Sequence, residues 1–173
     1  MTGKTRWKID RRTVLAGYST PCVRQTGGDG PELVFSGTAH GMTGVDLATG
    51  KINWEIKGIL NSRVVGSPQL YQDLVFGSYG AGLSAQRLVA VRAPRKGGVK
   101  KPKVAYNVSQ SPPLVPSCLI KDDLLFLWTD SGIVSCLDAA TGKRHWRERV
   151  GGNYYCSPVW IDGRLYCTSK EGD

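Results

Sequence analysis

The sequence predicts an all-β fold, a partial β-propeller built of four-stranded antiparallel blades. Three observations predict it. The phrase Thr2-Gly3-Lys4-Thr5-Arg6-Trp7 returns as Thr49-Gly50-Lys51-Ile52-Asn53-Trp54 and again as Thr141-Gly142-Lys143-Arg144-His145-Trp146, and such internal periodicity marks an array of small stacked units. A small-residue corner, an apolar run, a short polar turn and a second apolar run recur at Val65–Phe76, Val115–Phe126 and Tyr155–Tyr166. That pattern is the signature of a hairpin. Aligned on Thr20, Ser67, Ser117 and Ser157, the units repeat at 47, 50 and 40 residues, the size of a propeller blade.

The elements follow in order from this alignment. A lone fourth strand is expected near Arg6–Ile9, closing a unit whose other strands are not in the chain. Full blades are expected at about 19–57, 64–108 and 113–150, followed by a trailing pair at about 154–161 and 164–168. The count is 15 strands in a single domain over 1–173, with incomplete pieces at 1–10 and 154–173. Within each unit the second run ends in a glycine turn, at Gly41, Gly82, Gly132 and Gly172. Third strands follow, as in Leu88–Val91 and Ile133–Leu137, and nothing reads as a helix; even Leu83–Arg92 is taken as a loop feeding a strand.

The turn into the fourth strand is Asp-x-x-Thr-Gly, from Asp46 to Gly50 and from Asp138 to Gly142. An Asp side chain can accept hydrogen bonds from backbone N–H groups just ahead of it, and Gly supplies the left-handed residue that ends such a turn. Trp7, Trp54 and Trp146 then read as structural aromatics that cover the seam between blades, each burying on the order of 200 Å². The middle unit departs from the pattern. It has Val104-Ala105-Tyr106 in place of the Trp phrase, and its turn is replaced by the stretch Arg92–Lys103.

That stretch holds six of the chain's 23 basic residues: Arg92, Arg95, Lys96, Lys100, Lys101 and Lys103. Its prolines and paired glycines make it a loop. It is the candidate interaction surface, together with the Gly27–Gly30 loop and the segments Asn61–Arg63 and Gly151–Tyr154. No aromatic residue interleaves its charges, so specific nucleic-acid binding by base stacking is not expected.

Composition restricts the alternatives. The apolar share is 40% and the charged share 21%, as in a folded globular chain and unlike a disordered one. No apolar run approaches the roughly 18 residues of a membrane-crossing helix. No apolar segment follows the basic residues near the N-terminus, so no secretory signal is read. The five cysteines, Cys22, Cys118, Cys136, Cys156 and Cys167, contain no C-x-x-C pair. They read as small strand hydrophobes, with one disulfide left open. Neither His40 nor His145 lies in a ligand-spaced cluster. No catalytic, cofactor-binding or metal-binding residue is therefore assigned.

The corner, the glycine turn and the run Leu137-Asp138-Ala139-Ala140-Thr141-Gly142-Lys143-Arg144-His145-Trp146 together resemble the pyrroloquinoline-quinone-like, or quinoprotein-type, propeller repeat. The resemblance covers nearly the whole chain. It implies one of two function classes: a cofactor-free envelope scaffold like the bacterial outer-membrane assembly lipoprotein, or a quinone-dependent alcohol or sugar dehydrogenase. A dehydrogenase of that family holds its quinone with calcium, a catalytic Asp and often a vicinal disulfide. This chain has no adjacent cysteines, and Asp46 and Asp138 match turn positions. The expectation is a non-catalytic scaffold for unidentified protein partners, with no cofactor. By the same resemblance the parent protein is expected in the periplasm or cell envelope. The chain itself is expected to be a piece of a seven- or eight-blade protein, and its open edges are expected to favour self-association.

Overall fold

The computed structural model describes residues 2–28, 30–82 and 85–173. The first two residues of the expected Leu83–Arg92 loop, and Asp29 of the glycine-rich loop, lie outside the described residues. The described residues form fourteen strands and no helix. The first sheet holds β1 (Cys22–Gln25), β2 (Pro31–Gly37), β3 (Gly41–Asp46) and β4 (Ile52–Ile56). The second holds β5 (Gln69–Tyr71), β6 (Leu74–Tyr79), β7 (Arg87–Arg92) and β8 (Lys103–Val108). The third holds β9 (Leu119–Lys121), β10 (Leu124–Trp128), β11 (Ile133–Asp138) and β12 (Arg144–Arg149). A hairpin of β13 (Val159–Ile161) and β14 (Arg164–Tyr166) follows. Strands pair antiparallel in chain order within each sheet, and the protein is an unclosed, partial all-β propeller.

The expected strand at Arg6–Ile9 does not form; no strand is assigned between residues 2 and 21. A strand exists only as a hydrogen-bonded neighbour of another, and this segment has no ladder to join. It lies against the first blade and keeps one feature of a fourth strand. The Trp7 indole N–H donates to the Leu47 carbonyl at 3.1 Å.

The core lies between blades. One apolar cluster joins Val34, Met42 and Trp54 of the first blade to Val75, Val89 and Val91 of the second. Another joins Leu74, Phe76 and Leu88 to Leu125, Leu127 and Leu137 of the third. Middle strands are therefore buried on both faces, as in β6 and β11, and read as continuous apolar runs where a half-exposed strand would alternate. At the inner corners the three joints share one hydrogen bond. The backbone N–H groups of Thr20, Ser67 and Ser117 donate to the hydroxyls of Ser67, Ser117 and Ser157 at 3.0, 2.9 and 3.0 Å. The residues used to align the repeats are thus the residues that tie each blade to the next.

The outer strands also repeat. In each blade the pairing of third with fourth strand slips by one residue beside the aromatic position, giving a bulge at Asn53, Ala105 and His145. Directly opposite Trp54, Tyr106 and Trp146 stand Gly44, Ala90 and Cys136. Each is small. At Gly44 a Cβ would lie 2.1 Å from the Trp54 indole nitrogen, so the ring fills the space a side chain would take.

Candidate functional site

Each Asp-x-x-Thr-Gly turn is a closed hydrogen-bonded unit. Asp138 Oδ1 accepts from the Thr141 N–H at 2.8 Å and from its hydroxyl at 2.6 Å, and the Gly142 N–H donates to the Asp138 carbonyl at 2.8 Å. Asp46 repeats these bonds with Thr49 at 2.7 and 2.6 Å. The Thr hydroxyl and N–H hold both carboxyls below their usual 3.8. These carboxylates are engaged by their own turns. The turns also serve as platforms. A Cβ on Gly142 would lie 2.5 Å from the Tyr106 ring of the preceding blade, and one on Gly50 would lie 2.8 Å from the Trp7 ring. The Tyr106 hydroxyl donates to the Ala139 carbonyl at 2.6 Å, as Trp7 does to Leu47, one residue after the turn Asp in both cases.

In the second blade Arg92 takes the place of that Asp. Its guanidinium reaches Asp73 at 2.6 Å, and Arg95 stands 3.9 Å from the same carboxylate. With no turn to dock on, Trp54 directs its indole N–H to Glu32 Oε1 at 2.9 Å. Glu32 is paired with Arg24 at 2.6 Å, the two side chains being 2% and 3% exposed. Arg24 also donates to the Pro94 carbonyl at 3.0 Å from both terminal nitrogens. Asn53 donates to the other Glu32 oxygen at 3.2 Å. A buried ion pair with these extra bonds thus anchors the first blade to the insertion.

Above this pair lies a cleft of ≈ 550 Å³. Glu32, Asn53 and Trp54 line it from β2 and β4, and Lys51, Arg95, Lys96 and Lys100 supply its cations. Since Arg24 neutralises Glu32, the cleft is net positive. Of the insertion residues named from sequence, Arg95, Lys96 and Lys100 reach it. Arg92 is held on β7 by Asp73, and Lys101 and Lys103 are exposed but do not line it. The glycine-rich loop joins the insertion: a Cβ on Gly28 would lie 3.5 Å from the Lys96 side chain, and Thr26 lines the cleft. Asn61–Arg63 and Gly151–Tyr154 do not line it. Sequence reasoning missed Lys51, which belongs to the repeat phrase, and the pair Arg24–Glu32. The available signal for Glu32 was its place two residues before Val34, on the same inward face of β2.

A second cavity, ≈ 300 Å³, lies between the N-terminal segment and the first blade, lined by Trp7, Ile9, Leu15, Phe35 and Val45 among others. At its polar end Arg11 donates to Glu55 and, at 3.0 Å, to the Thr43 hydroxyl. Burial works to raise the Glu55 carboxyl, but hydrogen bonds from Arg11, Lys57 and Thr43 outweigh it and hold the group below 4.5. His40 Nε2 bonds the Arg11 carbonyl at 2.7 Å. These contacts fasten the segment to the blade. Among the described residues no three His, Cys, Asp or Glu side chains gather into a metal-holding group, and no helix is long and apolar enough to cross a membrane.

The profile of a family described as outer membrane protein assembly factor BamB matches residues 106–173. Residues 106–173 therefore carry pyrroloquinoline-quinone-like β-propeller repeats, and the residues before them share the propeller fold. Among solved structures this repeat array is similar to BamB from Moraxella catarrhalis, with a TM-score of 0.63 at 17% identity over 89% of this chain and 40% of BamB. It is similar to the computationally designed Ika4 protein, with a TM-score of 0.65 at 13% identity over 91% of this chain and 90% of Ika4. It is also similar to a quinohemoprotein alcohol dehydrogenase from Pseudomonas putida HK5, with a TM-score of 0.57 at 12% identity over 84% of this chain and 33% of that enzyme. No curated protein matches the chain. It spans less than half of BamB and of the dehydrogenase. At these identities the likeness is one of fold.

Proposed function

We propose that the chain is a non-catalytic propeller scaffold from a cell-envelope protein, binding an acidic surface of a protein partner at the cleft between β4 and the insertion. One observation carries this reading: Lys51, Arg95, Lys96 and Lys100 line one cleft in which Glu32, the one carboxylate among the described lining residues, is paired with Arg24. A concave site with one sign of charge concentrates field and steers an oppositely charged partner. The description of the matched family as an outer membrane protein assembly factor supports the envelope setting and the protein partner.

The test compares capture from a cell-envelope extract by the chain and by its Lys96→Glu/Lys100→Glu variant. The acidic partner should be lost selectively from the variant, with binding at least about tenfold weaker, or ~1.4 kcal/mol. Binding to the unaltered chain should weaken as salt shortens the screening length toward about 3 Å at 1 M. The same proteins captured equally by both would overturn the assignment of this cleft.

The fold likeness to the quinohemoprotein alcohol dehydrogenase favours a second reading, a segment of a quinone-dependent dehydrogenase. Adding pyrroloquinoline quinone and calcium to the parent protein, then assaying dye reduction with alcohols and sugars, decides it. Turnover would replace the scaffold reading. Self-association is a further part of the proposal, motivated by Trp146 at 42% exposure and Val159 and Ile161 at 49% and 56% beside the open third blade. A concentration-independent monomer in light scattering would remove it.

A further inference from the structure

Beyond β13 and β14 the two arms of the last hairpin stay together. The Lys170 N–H donates to the Asn153 carbonyl at 2.8 Å, and Lys170 Nζ stands over the Tyr155 ring at 4.9 Å. Three residues inward from each member of the Asn153–Lys170 pair stand Cys156 and Cys167. The contact between them is direct. The Cys167 thiol donates to the Cys156 carbonyl at 3.4 Å. The β13–β14 register, with Val159 opposite Tyr166, would set Cys167 opposite Pro158, so the arms slip by two residues before the Asn153–Lys170 bond, and it is the thiol contact that brings the two cysteines together. Cysteines with Cα atoms up to about 7 Å apart can be bridged. The other three cysteines differ. Cys118 is buried in the second apolar cluster just before β9, Cys136 is buried in β11, and Cys22 packs against the first cluster.

We infer that Cys156 and Cys167 form a redox-labile disulfide that clips the arms of the last hairpin together. Burial, with the neighbouring Cys156 thiol, pushes the Cys167 thiol up to about 11. Cys156 is the exposed member of the pair, so it meets the oxidant first. With a low-molecular-weight disulfide such as oxidised glutathione, the Cys156 thiolate attacks one sulfur and releases one glutathione thiolate. Cys167 then gives up its proton and attacks the Cys156 sulfur of the mixed disulfide, and the second glutathione leaves. Two protein thiols become one disulfide, and one glutathione disulfide becomes two thiols. The closed loop includes Ser157, whose hydroxyl receives the Ser117 N–H. The clip therefore bears on the last joint of the inner ladder.

Trypsin separates the two cysteines, because Arg164 lies between them; Cys156 falls in the peptide 150–164 and Cys167 in 165–170. The experiment incubates the reduced full chain with glutathione in which the oxidised form is in excess. It then blocks free thiols with iodoacetamide and maps tryptic peptides without reduction. The expected result is peptide 150–164 covalently joined to 165–170, at least tenfold in excess over any other linked pair, and a whole protein lighter by two hydrogens. Cys167→Ser should instead retain glutathione on Cys156, and Cys156→Ser should leave Cys167 alkylated. Recovery of both peptides unlinked from the unaltered chain, or linkage of either one to the peptide bearing Cys22, Cys118 or Cys136, would overturn the inference.

Discussion

Tyr106 and Trp54 occupy the same place in successive blades and are held in opposite ways. Tyr106 reaches outward, lays its ring on Gly142 of the next blade and donates to that turn's Ala139 carbonyl. Trp54 has no such turn ahead of it, because Arg92–Lys103 stands there, and its N–H turns inward to Glu32. The difference shows what the Asp-x-x-Thr-Gly turn contributes. It is a docking plate for the preceding blade, flat because it carries a glycine at φ +74° and stiff because Asp138 bonds Thr141 twice. Where the plate is lost, a buried ion pair bonded to the insertion takes over the joint. That substitution leaves lysines free to surround a cleft.

The comparison predicts that the irregular joint is the more fragile. Arg24→Met leaves Glu32 charged and buried with only Trp54 and Asn53 to satisfy it. It should cost about 3–5 kcal/mol, read as a lower urea midpoint at unchanged slope. Replacing both members, Arg24→Met with Glu32→Leu, should recover most of that loss, since two apolar groups can replace a buried pair at little net cost. Equal losses in the single and double variants would show that the ion pair is not what holds this joint.

The regular joint should yield less. Gly142→Ala puts a Cβ into the Tyr106 ring on a left-handed residue, with an expected cost of ~1–3 kcal/mol. Gly50→Ala should behave alike toward Trp7, although Trp7 lies in no strand. A neutral Gly142→Ala would remove the docking role of the turn.

The smallest effect is that of pH. Asp46 and Asp138 have folded-state pKa values below the ordinary 3.8. Their contribution is therefore fully present above the unfolded value and is lost as pH falls through the lowered folded values. Asp138→Asn should flatten the acid limb of a stability profile below pH about 4, and leave the profile above pH 5 parallel to the parent's. An unchanged acid limb would mean that the turn carboxylate does not couple to folding.

Much of this architecture could be read from residues close in sequence. The anchors Thr20, Ser67, Ser117 and Ser157 were legible as a period, and each proves to be a hydrogen-bonding position at a blade joint. The docking of Tyr106 on Gly142 was half legible: the phrase marked both residues, but not that each ring serves the following turn. Gly44, Ala90 and Cys136 carried an unused signal, since a small residue recurs opposite every outer aromatic. The strand expected at Arg6–Ile9 was misread because the phrase repeats there while its ladder partner does not. The cleft was legible only in part, as a run of basic residues. Lys51, Arg24 and Glu32 belong to another blade, and Arg24 meets Pro94 across 70 positions.

The sequence by itself determined the blade: short apolar strands, tight turns and glycines act over a few residues, where chain connectivity already holds the partners close. The tertiary structure decided the joints between blades, the pairing of Arg24 with Glu32 beneath the insertion, and the meeting of Cys156 with Cys167. Those contacts depend on which surfaces face one another once the sheets stack, and burial turns a modest local preference into a requirement that each buried polar group find its partner.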